Sequence, residues 1–499
     1  MSTNLIILVL VAYFLILIGI SIWTSRHATS DTFFTGDRQS PWYLVAFGMI
    51  GASLSGVTFI SVPGKVINDG MAYFQVVLGY VLGYFVIAQL LMPLYYRLNV
   101  TSIYEYLEKR LGTISYKTGA AFFILSRTLG SAIRLYLATI VLQLFLFEKL
   151  GVPYWATACI TILLIWVYTF KGGIKTIVYT DTFQTFFLVS SVIICTIIVA
   201  QTLNVDLMGL WDKISATKTS TGHSLSRIFV LDDSNAKNYF YKHFFGGMFL
   251  AIAMTGLDQD LMQKNLTCKN IKEAQKNMYS FTIVLVATNF LFLVLGGALY
   301  VYAASKGIDL PTKTDHTFPT LALSEFGTIA GIFFLLGITA SSYASADSAL
   351  AALTTGFCID FLNFKKREES NKKRTMLYVH IGFSVLFLLI ILGTNWYIES
   401  NPKTDIIDVI LTLASYTYGP LIGLFAFGIF TKKNLYNPMV PIICLAVPLF
   451  CYYTDKNSVA WFNGYKFGYE MLIINGLLTF MFLFFSSLFV HQKQQIHEN

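Results

Sequence analysis

Thirteen apolar stretches of about twenty residues follow one another along this 499-residue chain, and such a stretch has one stable way to cross lipid. Without water to bond its N–H and C=O groups, the backbone must satisfy them internally, so each stretch is expected to be a helix. They cover 5–22, 43–66, 72–96, 119–147, 153–170, 177–201, 243–263, 279–302, 321–362, 376–394, 405–430, 438–453 and 467–490, spans 1 to 13 in chain order. Only 12% of the residues are charged, about half the share in a soluble chain. The expected fold is all-α and polytopic, in one membrane domain over 1–499.

The net charge of +8 does not point to nucleic acid, because the basic residues sit in short connections beside the spans. Arg26 and Arg38, Arg97 to Lys117, Lys171 and Lys175, Lys264 to Lys276, Lys365 to Arg374, Lys432 and Lys433, and Lys493 fall on alternate connections. Positive connections stay in the cytoplasm, which puts the N-terminus outside and the C-terminus inside. Span 1 lacks a small-residue cleavage site and its basic residues follow it, so it is expected to be a retained helix rather than a signal peptide. The six cysteines show no CxxC or Cys/His spacing, which argues against a disulfide framework or a metal cluster. HExxH, GxSxG and a His–carboxylate cluster are absent, so an enzyme is not expected. The polar segment 202–242 lies outside and is expected to hold a short surface helix.

Span 2 reads Gly48-Met49-Ile50-Gly51-Ala52-Ser53-Leu54-Ser55-Gly56-Val57-Thr58, small and hydroxyl residues where a membrane helix is normally bulky. A helix broken there frees carbonyl oxygens that lipid cannot bond, so they must face protein, water or an ion. That is what a solute site in a transporter requires. Ser341, Ala344, Ser345 and Ser348 recur at helical spacing in span 9 and share a face, an arrangement that also serves plain helix packing. Asp181 and Asp347 are carboxylates within spans, where charge is costly and by default functional. Arg127 and Arg134, seven residues apart in span 4, share a face, and at least one must look into the water-filled centre.

With these residues in view, the chain resembles the sodium/solute symporter family. The resemblance rests on Ala52 to Phe59, on Thr101-Ser102-Ile103-Tyr104-Glu105-Tyr106-Leu107, and on Gly172-Gly173 with Thr180-Asp181-x-x-Gln184. Asp258-Gln259-Asp260-Leu261-Met262-Gln263-Lys264 and the hydroxyl-rich run Ser341 to Thr355 ending at Asp360 complete it. It implies a five-plus-five inverted-repeat core of the amino-acid-transporter type. Here that means repeats at 43–201 and 243–430, one extra helix at 5–22 and two at 438–490.

The resemblance also implies site residues. Sodium is the co-transported ion, held by the carbonyls of Gly51, Leu54 and Ser341 and the hydroxyl of Ser345. The register, counted back from Asp360, puts Ala344 where the family has a second hydroxyl, so that ligand is missing or Ser342 takes its place. Asp181, Asp347 and Ser348 mark a possible second cation site. The solute wall is expected from Ser53, Ser55, Thr58, Tyr73, Met254 and Thr255, with Val77 beside Tyr73. An arginine of span 4 grips the carboxylate in sialic-acid members; Gly130 occupies that position here, and Arg127 or Arg134 offers the grip from a turn away. Asp258 and Asp260 are assigned to an inner gate or salt-bridge network rather than to ligand, and Lys264 to a charge that orients the chain in the membrane.

The expected function is sodium-driven import of a small polar organic solute by alternating access. The arginines favour an organic anion such as a sialic acid or a monocarboxylate. A neutral sugar or amino-acid symporter, a proton-coupled carrier, and a sensor or channel on the same fold are the alternatives. The partners are the solute and the lipid bilayer, the chain is expected to be monomeric, and its place is a cell membrane, the bacterial inner membrane foremost.

Overall fold

The computed structural model describes residues 3–25, 40–100, 102–169, 173–362, 369–401 and 404–497. Among them there is no β-strand, only isolated bridges at Ser40–Cys268 and Lys218–Ser224. Nine of the described helices are long and apolar enough to cross a membrane. Two more crossings are bent pairs, Trp42–Ser53 with Gly56–Asp69 at 59° and Ile406–Thr417 with Gly419–Phe430 at 41°. The short helix Tyr154–Thr169 stands at span 5, and Phe240–Ala251 with Gln259–Leu266 stands at span 7. Every expected span is therefore helical, and the fold is a polytopic all-α bundle.

One boundary changes. Span 9 is the helix Gly327–Asp360, because Thr317–Ser324 forms a helix of its own and Gly327 takes φ +82°, a conformation that suits glycine. The polar segment 202–242 does hold a helix, Leu207–Ala216, capped by Asp206, whose carboxylate accepts from the Gly209 N–H at 2.8 Å.

The connections expected to share a side do converge. Arg110 donates to the Thr431 carbonyl at 2.7 Å, Tyr96 to that of Asn265 at 3.0 Å, and Tyr116 to the Asp360 carboxylate at 2.6 Å. At the opposite end, Ser220 N–H donates to the Ile67 carbonyl at 2.9 Å and Thr314 to Asp405 at 2.8 Å. Arg26, Arg38, Lys171, Lys365, Lys366 and Arg367, with Thr101 and Gly172 of the family motifs, lie outside the described residues.

Spans 3 and 7 meet backbone to backbone. A Cβ on Gly79 would fall 2.0 Å from the Phe244 carbonyl oxygen, and one on Gly247 would fall 2.2 Å from that of Val76. Small residues allow such approach between membrane helices. Gly79→Val is expected to force the pair apart at a cost of about 1–3 kcal/mol or more, read as a lower thermal midpoint of the protein in detergent.

Candidate functional site

The second span is interrupted where its small residues stand. Leu54 leaves the helix at φ −83°, ψ 78°, and Ser55 is extended at φ −68°, ψ 171°. The N–H groups of residues 55–58, which a continuous helix aims at the carbonyls of residues 51–54, make no such bond. Four carbonyl oxygens, from Gly51 to Leu54, thus lose their helical donors at mid-span.

Span 9 brings hydroxyls to the same place. A Cβ on Gly56, where the helix restarts, would lie 2.0 Å from Ser342 Oγ, so Ser342 touches the break. The Ser342 and Ser345 hydroxyls are fully buried without a hydrogen bond, whereas Ser341 donates to the Ile338 carbonyl at 3.2 Å within its own helix. Ser342 therefore presents an unbonded hydroxyl at the break, where Ala344 has none. Open carbonyls facing unbonded alcohol oxygens are the donor set that a hard monovalent cation takes in place of water.

Span 7 is broken as well, which sequence reasoning missed. After a π-helical turn at Ile252–Gly256, Leu257 and Asp258 leave the helix, which resumes at Gln259–Leu266. Here the freed groups find partners: Tyr95 donates to the Gly256 carbonyl at 2.9 Å and Tyr104 to that of Leu257 at 2.7 Å. The Asp258 carboxylate accepts from the N–H groups of Asp260 and Leu261. Gly256 with Asp258 two residues on, a breaker beside a capping residue, was the available signal.

Beside the span-2 break lies a cavity of about 70 Å³, and Ser53, Ser55, Thr58, Tyr73, Arg134, Met254 and Thr255 all line it. Seven of the eight expected solute residues are thereby brought together. Arg127 is the exception. It is buried, its guanidinium pairs with Asp260 and lies 3.6 Å from Asp258, and it stands below the cavity as part of an ion network. Val77 is packed in the core rather than in the wall. The wall also holds Tyr80, Tyr84, Asn289, Ile407 and Ile410, which were not anticipated. Tyr73, Tyr80 and Tyr84 repeat at helical spacing, and Asn289 is a lone amide in an apolar span, so both were legible; the two isoleucines carried no signal.

The acidic residues group differently from expectation. Asp181 accepts from the Lys264 ammonium at 2.7 Å, and Ser348 donates to Asp260 at 2.8 Å. Asp347 acts on Lys264 through its charge, and Tyr418 donates to Asp258 at 2.9 Å. The expected ring of Asp181, Asp347 and Ser348 around one cation is thus drawn around Lys264 and Asp260. Together with Arg127 these residues tie spans 4, 6, 7, 9 and 11 at the basic end of the bundle, where an inner gate was expected.

The profile of the sodium:solute symporter family matches residues 33–437. The chain belongs to that family. It is 24% identical over 484 residues to the sodium/sialic acid symporter NanT of Aliivibrio fischeri, covering 94% of this chain and 92% of that one. It is 25% identical over 414 residues to the sodium-coupled monocarboxylate transporter 2 of Mus musculus, covering 81% of this chain and 64% of that longer protein. In fold it is similar to a sodium-coupled sialic acid symporter solved in a substrate-bound outward-open state, with a TM-score of 0.81, 20% identity and 98% coverage of both chains. The symporter is a multi-pass membrane transporter with sodium as its co-transported ion.

If Ser345 is a ligand, Ser345→Ala removes one oxygen held on a cation, worth about 1.5–3 kcal/mol, and the sodium concentration for half-maximal thermal stabilisation is expected to rise at least about tenfold. An unchanged sodium titration would place the ion elsewhere.

Proposed function

We propose that this symporter imports a small organic anion, gripped by Arg134 beside a sodium ion held at the span-2 break. The observation that carries the reading is Arg134 itself. Its guanidinium lines a cavity within the membrane, and among the described residues it has neither an ion pair nor a hydrogen bond. Arg134 is only partly buried, yet a charge held within a membrane span without a partner is costly, and a carboxylate entering the cavity offsets that cost with a bidentate pair. No carboxylate side chain lines the cavity, and hydroxyls of Ser55, Thr58 and Tyr73 surround it. The two sequence relatives named above carry, by name, solutes with a carboxylate.

The solute is taken to enter from the end opposite the basic connections, which places the N-terminus outside, the C-terminus in the cytoplasm and the monomer in a cell membrane. Lys65 on the second half of span 2 bonds Asp408 of span 11 at 2.8 and 2.9 Å above the cavity, and the Arg127–Lys264 network closes the other end. Alternating access then means parting one of these two closures at a time.

A second cation at Asp181 and Asp347 has its own support. Asp181, Asp258, Asp260 and Asp347 put four carboxylates against the two cations Arg127 and Lys264 among the described residues of this cluster. Two sodium ions with one monoanion move one net charge inward, worth about 2.3 kcal/mol per 100 mV, whereas one sodium moves none. Uptake into liposomes is expected to speed up with an inside-negative potential, and Asp347→Asn is expected to abolish that response.

Arg134→Gln is expected to cut uptake of short monocarboxylates at least about tenfold at subsaturating solute, and replacing sodium by choline to stop it. Unchanged anion uptake in Arg134→Gln, or transport of neutral sugars by the wild type, would falsify the anion reading.

A further inference from the structure

Thr185 lies within the long helix Gly173–Thr202 of span 6 and is fully buried. A threonine inside a membrane helix commonly turns its hydroxyl back to the carbonyl four residues earlier. Others on this helix do so. Thr180 donates to the Thr176 carbonyl at 3.2 Å, Thr182 to that of Val178 at 2.8 Å and Thr196 to that of Val192 at 2.8 Å. Thr185 turns outward instead: its one hydrogen bond among the described residues comes from the backbone N–H of Gly51, at 2.9 Å.

Gly51 is the first of the four residues whose carbonyls lose their helical donors at the span-2 break. It rests directly on span 6, since a Cβ there would fall 2.5 Å from Thr185 Oγ1 and 3.4 Å from the Asp181 carbonyl oxygen. One turn earlier Gly48 meets the same face, where a Cβ would fall 3.2 Å from the Val178 carbonyl oxygen and 3.3 Å from Asp181 Cβ. Span 6 is a firm support at this level, because Asp181, one turn from Thr185, accepts from the Lys264 ammonium at 2.7 Å. A helix that stops in mid-membrane lacks the next turn that would hold its last peptides, and helix ends fray. The bond from Gly51 to Thr185 supplies part of that restraint.

We propose that Thr185 is a positioning residue for sodium: its hydroxyl pins Gly51 so that the open carbonyls of the break keep the geometry the ion needs. It holds the peptide and not the ion. The inference rests on the reading that sodium sits at this break, and adds to it a residue that supplies no ligand. Groups that orient a metal's ligands tune its affinity without touching it, so a loosened last turn costs sodium affinity beyond any cost to the fold.

The test titrates sodium against choline at constant ionic strength on the purified protein, reading thermal stabilisation in the wild type, Thr185→Ala and Thr185→Ser. Thr185→Ala is expected to raise the sodium concentration for half-maximal stabilisation about threefold to tenfold, the size of one hydrogen bond. Thr185→Ser keeps the oxygen and is expected to stay within about a factor of two of the wild type. Should the smaller residue yield too little folded protein, Thr185→Val keeps the bulk without the acceptor and is expected to shift the titration in the same direction.

A bond that serves packing alone would lower the sodium-free thermal midpoint of Thr185→Ala and leave the titration where it was, which overturns the inference. A Thr185→Ser variant as weak in sodium as Thr185→Ala overturns it too, because the methyl group and not the hydroxyl would then matter. Ser345→Ala separates this inference from the reading beneath it. If that variant shifts the titration and Thr185→Ala does not, sodium sits at the break without help from Thr185; if neither shifts it, both fall.

Discussion

Four peptide oxygens without donors at the centre of a membrane are the constraint from which the rest of this molecule follows. Lipid cannot bond the carbonyls of Gly51 to Leu54, and each left alone costs several kcal/mol, so the break has to be faced by protein, water or an ion. Ser342 and Ser345 of span 9 stand with hydroxyls uncommitted where span 2 packs closely enough to require glycine at position 56. The same short loop faces two ways. Leu54 and Ser55 also line the cavity beside the break, so whatever orders the loop also shapes that wall. Coupling between ion and solute is then mutual by thermodynamic necessity, each raising the other's affinity by one factor.

The contrast with span 7 shows why one break is a site and the other a joint. Both helices part at the same depth, yet Tyr95, Tyr104 and the Asp258 carboxylate bond the freed groups of span 7. The Gly256 and Leu257 carbonyls thus already have donors, and Asp258, which caps the resumed helix, belongs to the ion network with Arg127. The two arginines of span 4 divide in the same way. Arg127 meets Asp258 and Asp260 and becomes structure, while Arg134, two turns further along, meets only hydroxyls, an amide and apolar groups. One helix face thus supplies both a member of the ion network and a guanidinium that lines the cavity.

Much of this was legible beforehand, residue by residue. The span-2 break was written in Gly48, Gly51 and Gly56 with the hydroxyls between them, because small residues at mid-membrane have few other uses. The convergence of seven wall residues on one cavity followed from family motifs that carry their register with them. The fate of Arg127 was not legible, because helical spacing places it on a face without saying what stands opposite. The partner of Asp181 was not legible for the same reason: Lys264 read as an orientation charge at a helix end, and only packing drew its ammonium inward to Asp181. Ile407 and Ile410 resemble any other apolar residues, and nothing along the chain sets them apart from the core.

Local chemistry acts along the chain, and so the sequence alone determined the helical class, the order of the spans, the place of the break in span 2 and the supply of charged groups within the membrane. Partnership acts across it. Which carboxylate each cation meets, and which arginine is left without one, are set by helices whose paired residues lie 83 to 133 positions apart. No periodicity or composition encodes those distances; close packing of the bundle decided them, because a buried charge or acceptor takes whichever neighbour the crossing helices put within about 3 Å.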